Sequence, residues 1–151
     1  MNQQITLKDD APARGIFELR VYRKGQLVEE YVDTNLILSR MKDVMAGLIG
    51  GAPAYAGMTI NRISFGTNGT APVAGDNAVT APFTKNLGAP TYPASGRVSF
   101  PFSLGTGEAN GKAIREFALM LSDGTYAARK VRGVIEKDAD LSFSGTWTIL
   151  F

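Results

Sequence analysis

The sequence predicts a mainly β fold, an antiparallel β-sandwich carrying one amphipathic α-helix. Three observations predict it. Apolar and polar residues alternate with a period of two through Phe17–Val21, Val98–Leu104 and Leu141–Phe151, the pattern of half-buried strands. Turn formers are plentiful, with 17 Gly and 7 Pro in 151 residues, which suits short strands better than a helix bundle. Only one stretch changes to the helical period.

Residues 1–15 read as an irregular N-terminal arm, and residues 16–151 as a single sandwich domain. In the arm, Ile5 and Leu7 alternate with polar residues and are followed by Lys8-Asp9-Asp10 and Pro12. That pattern suits a short strand added to the sheet of a neighbouring subunit. Next comes a hairpin. Phe17, Leu19 and Val21 line one face, Lys24-Gly25 turns, and Leu27 to Val32 returns.

Asp33, Thr34 and Asn35 all have side chains suited to an N-cap. Ile37, Met41, Val44, Met45 and Leu48 then form one apolar stripe, and Gly50-Gly51 and Pro53 stop it. The helix is therefore expected over about residues 35–49, covering one open face or end of the sheet. Met58 to Phe65 reads as a strand with a bulge or an edge, because its alternation is imperfect. Residues 66–96 have no clear period. Phe83, Leu87 and Tyr92 give this stretch apolar anchors, so it reads as an ordered excursion; long loops in compact domains are commonly interaction segments.

The last third is the clearest β signal. Pro101 cannot donate to a ladder, which puts the 98–104 strand at an edge or a bulge. Asp123-Gly124 between apolar runs marks a hairpin. Leu141, Phe143, Trp147, Ile149 and Phe151 line one face of the terminal strand, the best candidate for the core.

The chemistry-bearing residues are sparse. There is no His and no Cys, which removes Ser-His-Asp triads, thiolate nucleophiles and the usual zinc ligands. No catalytic, cofactor-binding or metal residues are assigned. Gly66-Thr67-Asn68-Gly69-Thr70 lacks the ending of a P-loop and reads as a turn. Glu108, Glu116, Glu136, Asp138 and Asp140 are the acids that paired-carboxylate or calcium chemistry would draw on, and each has a plainer place in a turn or polar loop. The net charge is +2, and the densest basic stretch, Arg129-Lys130-Arg132, is too short for a nucleic-acid footprint and reads as a solvated strand or turn. No apolar window is long enough to span a membrane as a helix. Neither a nucleic acid nor a membrane is expected as a partner. Tyr22, Tyr31, Tyr55 and Tyr92 are the aromatics that could anchor one.

Three stretches taken together carry a resemblance. They are Ile60–Pro72 (INRISFGTNGTAP), Glu108–Phe117 (EANGKAIREF) and Leu141–Phe151, ending in Trp147-Thr148-Ile149-Leu150-Phe151. In this order they resemble a family of small structural proteins of tailed phages and prophages, described as tail, collar or minor virion proteins. The resemblance covers about residues 30–151. It implies a virion component with no enzymatic role, made in the cytoplasm of a bacterial host, whose partners are copies of itself and other virion proteins. A capsid decoration or cement protein is the alternative, and a host-receptor or carbohydrate-binding module a further one. Ile5, Leu7, Asn68, Phe83, Leu87 and Tyr92 are the candidate subunit contacts.

Overall fold

A computed structural model describes residues 13–151. Eight strands form in chain order: β1 (Arg14–Arg23), β2 (Gln26–Ile37), β3 (Ile60–Gly66), β4 (Phe83–Asn86), β5 (Arg97–Leu104), β6 (Ala113–Leu121), β7 (Tyr126–Glu136) and β8 (Leu141–Leu150). The helix α1 (Ser39–Gly50) follows β2, and a short 3-10 turn (Pro53–Tyr55) follows it. The fold is mainly β, as the sequence predicts.

The expected sandwich is realised as one nearly closed antiparallel sheet, in the order β4-β3-β6-β7-β2-β1-β8-β5. It has two halves, β4-β3-β6-β7 and β2-β1-β8-β5, which meet at two seams. At the first, β2 and β7 pair only through Leu36 with Arg129 and Ile37 with Ala128. Side chains fill the gap beyond that pair. Lys130 Nζ donates to Asp33 at 2.6 Å and to the Thr34 carbonyl at 2.9 Å. Arg132 bonds Glu29 and lies 4.8 Å from the centre of the Tyr31 ring. At the second seam, the chain after β4 crosses to β5. Gly88 N–H donates to Pro101 O at 2.8 Å, and Thr91 and Ser99 exchange two backbone bonds. Pro101 thus sits on an end strand, where a missing donor costs no ladder bond.

The halves enclose one aromatic core. Phe17 of β1 lies 4.9 Å from Phe117 of β6 and 5.0 Å from Trp147 of β8, centroid to centroid. Phe65, Phe102 and Phe143 complete the cluster. The terminal strand is central to it, since Leu141, Phe143, Trp147 and Ile149 are all buried. The two tight hairpins are where the sequence puts them. Lys24 and Gly25 both take positive φ, the conformation that a two-residue turn with strand-matched twist requires. Gly124 does the same between β6 and β7.

The helix starts later than the sequence suggests. Residues 33–37 extend β2, and α1 begins at Ser39. Asp33, Thr34 and Asn35 look like caps, but their groups serve the sheet. Asp33 holds Lys130, Thr34 O accepts from Lys130, and Asn35 Oδ1 accepts the Trp147 indole N–H at 2.8 Å. No side chain caps the helix; Ser39 N–H is satisfied by the Ala74 carbonyl. Gly51, left-handed at φ 70°, closes the other end.

Met41 and Val44 enter the core from α1. The helix therefore closes one end of the sheet. Pairing fixes which end. Gly15 faces Asn35, Arg14 and Arg97 both face Leu150, and Ile60 faces Leu121. At this end β1, β3 and β5 begin and β2, β6 and β8 finish. The β3 bulge between Ile60 and Arg62 also lies here, and β3 is flanked on both sides, so the imperfect alternation marks a bulge and not an edge.

Candidate functional site

Residues 67–82 of the long excursion form a lid on the outer face of β6 and β7, while the rest of it is β4 and the crossing to β5. Beneath it lies a second small core of Leu38, Ala118 and Tyr126, with Leu36, Val79 and Met120 packed against it. One ion-paired network pins the lid. Glu116 is fully buried and Arg129 is 3% exposed. Glu116 Oε1 accepts the amides of Thr80 at 2.7 Å and Asn68 at 3.3 Å. Its Oε2 takes Arg129 Nε at 2.9 Å and Nη2 at 2.8 Å. The other guanidinium hydrogens go to the Asn68 and Thr70 carbonyls and to Asp76. Nε, Nη1 and Nη2 of Arg129 all donate hydrogen bonds, the fork geometry for which Arg is suited. Gly66 is required here, because a Cβ would stand 2.4 Å from Glu116 Oε1 and 2.8 Å from the Thr80 carbonyl.

This corrects the reading of Arg129-Lys130-Arg132 as a solvated surface. Arg129 points out under the lid, while Lys130 and Arg132 point to the β2 seam, so each cation has a carboxylate partner. Four of the five acids considered for catalysis are similarly engaged, and Glu136 is exposed at the end of β7. Glu116 belongs to the pin. Glu108 accepts Lys85 at 2.7 Å and the Gly105 amide at 2.8 Å, contacts that hold its carboxyl below the ordinary range. Asp138 takes the Asp140 amide, and Arg23 lies within 3.9 Å of both acids. Among the described residues, no group of three or more acidic side chains could hold a metal ion, and no buried side-chain N or O atom lacks a hydrogen-bond partner.

Arg40 ties α1 to the β6–β7 turn. It bonds Asp123 at 2.7 Å and Thr125 at 3.1 Å, and its guanidinium lies 5.2 Å from the Tyr55 ring centre. The hydroxyl and amide of Thr125, and then Arg40, hold the Asp123 carboxyl at about 2, below its ordinary 3.8. A carboxyl depressed on folding stabilises the fold above its unfolded pKa, and that contribution is lost as pH falls through the folded value. Thermal melts of wild type and Asp123→Asn are therefore expected to differ most above pH 4. The gap should narrow as pH falls toward 2; a gap constant across that window would contradict the assignment.

The structure separates the candidate subunit contacts. Asn68 serves the pin through its backbone, and its Oδ1 accepts the Thr70 amide at 3.0 Å. Phe83 and Leu87 are half-buried against their own core. Tyr92 is 75% exposed. Ile5 and Leu7 lie outside the described residues. Sequence reasoning missed the exposed apolar side chains of two other places. Leu27, Val28 and Val32 stand on the outside of β2, the first two beside the hairpin turn. Leu48, Ile49 and Phe151 stand with Tyr92 at the helix-closed end. Between α1 and the second seam, that end carries an apolar groove of about 210 Å³, lined by residues that include Met45, Met58, Pro90, Tyr92, Val98 and Phe100.

Compared with known proteins, the chain matches no family model, no curated protein and no solved structure.

Proposed function

We propose that this chain is a non-enzymatic structural subunit of a tailed-phage particle, acting at the neck, collar or tail. The observation that carries this reading is the placement of exposed apolar side chains at both ends of the barrel-like sheet. Leu27 and Val28 mark the hairpin end, and Leu48, Ile49, Tyr92 and Phe151 the helix end. Two unlike apolar surfaces on opposite ends suit head-to-tail contact between copies, the arrangement that generates rings when the rotation closes. The polar interior supports the same reading, because its charges are occupied in holding the lid and the seam. The resemblance of Ile60–Pro72, Glu108–Phe117 and Leu141–Phe151 to tail and collar proteins supports it as well. The first two stretches meet in the fold, where β3 pairs with β6.

Mass spectrometry of purified particles from the bacterium that encodes the chain tests the proposal. About six to a few dozen copies per particle are expected, the count of closed rings. Hundreds of copies would indicate capsid decoration instead, and absence from the particle would overturn the proposal.

A further inference from the structure

The chain contains two Asn-Gly pairs, Asn68-Gly69 and Asn110-Gly111. Glycine puts no Cβ beside its amide nitrogen, so that nitrogen can approach the side-chain carbonyl carbon of the residue before it. The fold holds the two pairs differently. At Asn110, Nδ2 donates to the Thr106 carbonyl at 2.9 Å and Oδ1 accepts Lys137 Nζ at 2.8 Å. The Gly111 N–H donates to the Lys137 carbonyl at 2.8 Å. Both nitrogens that a rearrangement would use are therefore occupied. At Asn68, Oδ1 accepts the Thr70 N–H at 3.0 Å. Its Nδ2 and the N–H of the exposed Gly69 have no acceptor among the described residues. A hollow of about 240 Å³, whose lining includes Asn68, Thr70, Asp76, Thr80 and Arg129, opens the same place to solvent. Oδ1 carries a donor in both pairs, so the carbonyl is polarised in both. What separates them is the state of the attacking and leaving nitrogens.

We propose that Asn68 is a self-modification site of this chain, where deamidation through the Gly69 amide loosens the lid. The Gly69 nitrogen attacks Asn68 Cγ, its proton passes to Nδ2 through solvent, and ammonia leaves as the Cγ–Nδ2 bond breaks. The Thr70 N–H stabilises the oxyanion that forms on Oδ1 in this step. Water then adds to either carbonyl of the five-membered imide and breaks that carbonyl's bond to the Gly69 nitrogen. Opening at Cγ gives aspartate. Opening at the main-chain carbonyl gives isoaspartate, in which the chain runs through Cβ and Cγ and the former Asn68 carbonyl is a carboxylate. That carbonyl is the one that accepts Arg129 Nη2 at 3.1 Å. Glu116 and Asp76 are already on Arg129, so a third carboxylate leaves the buried network with an uncompensated charge. The main chain over the pin is also one carbon longer. Both changes fall on the two bonds by which the Asn68 backbone joins the pin. The proposal does not depend on the phage reading.

Trypsin puts the two pairs in separate peptides, Ile63–Lys85 and Val98–Lys112. The full-length protein, kept folded in warm, mildly alkaline buffer and sampled by peptide mass spectrometry, is expected to deamidate at Asn68 at least about tenfold faster than at Asn110. That is the rate effect of one hydrogen bond on the reacting amide. In denaturing urea the two rates should converge, because both amides are then free. Equal rates in the folded protein, faster reaction at Asn110, or a contrast that survives in urea would overturn the proposal. Gly69→Ala is a second test. Its Cβ would first meet the Arg115 side chain, 3.1 Å from Cδ, which can move aside. The variant should keep its circular dichroism spectrum and react more slowly at Asn68; an unchanged rate would exclude attack by the Gly69 amide. The isoaspartate form, isolated by ion exchange, should exchange backbone hydrogens in residues 67–80 about tenfold faster than fresh protein, the effect of losing one bond of the pin. Unchanged exchange there would overturn the link between the modification and the lid.

Discussion

Replacing Arg129 with alanine is expected to cost about 3–5 kcal/mol, because it leaves a buried carboxylate without its cation. Glu116 has no exposure, and its remaining partners would be two backbone amides. The Asn68 and Thr70 carbonyls would lose their donors as well. The loss should appear as a lower urea midpoint. Amide exchange should also accelerate in residues 67–80, where Glu116 and Arg129 hold the lid. Glu116→Gln should cost less, since an amide keeps the shape and can still accept from Thr80. The double change Glu116→Leu/Arg129→Met removes both charges, and it should recover part of the loss of Arg129→Ala, as apolar replacement of buried ion pairs does elsewhere. If Arg129→Ala costs under about 1 kcal/mol, the lid is held by its small apolar core and not by the pin.

The pin also shows where a sequence is readable. Strand alternation depends on burial, and burial of β1, β5 and β8 is one-sided, so Phe17–Val21, Val98–Leu104 and Leu141–Ile149 could be read directly. β6 and β7 are covered on both faces, by the aromatic core and by the lid. Glu116 and Arg129 therefore occupy positions that local reading assigns to solvent, and only a lid folded from residues about 50 apart makes them interior. A signal existed in Arg129, which lies between the small apolar Ala127-Ala128 and Val131 of a strand. The helix start failed for a related reason. Asp33-Thr34-Asn35 has the local chemistry of a cap, but long-range partners in β7 and β8 use those groups first, and the strand continues to Ile37. The exposed apolar end at the helix was legible only in part, because the helical period leaves Ile49 off the stripe of the buried Val44 but puts Leu48 on it, and Leu48 is exposed.

Trp147→Ala is expected to be comparably severe, costing about 3–5 kcal/mol, the range for removing a large aromatic from a core. Trp147 is fully buried in β8 and packs edge-on against Phe17. Its indole N–H crosses β1 to reach Asn35 Oδ1 in β2 at 2.8 Å. This bond links three adjacent strands, and the strand between them makes room for it. A Cβ on Gly15 would stand 1.7 Å from Asn35 Oδ1, so any side chain there displaces the acceptor. Two milder variants separate packing from the bond. Trp147→Phe keeps much of the ring and removes the donor. Gly15→Ala keeps the indole and pushes Asn35 away. Each should cost about 1–3 kcal/mol if the bond matters, the penalty for a stranded buried group. Combined, they should cost less than their sum, because both remove one interaction. Urea denaturation followed by circular dichroism reads all four variants alike, including the three without Trp. Strict additivity would mean that the indole stabilises the core by its volume alone and that Asn35 contributes nothing to holding β2 against β1 and β8.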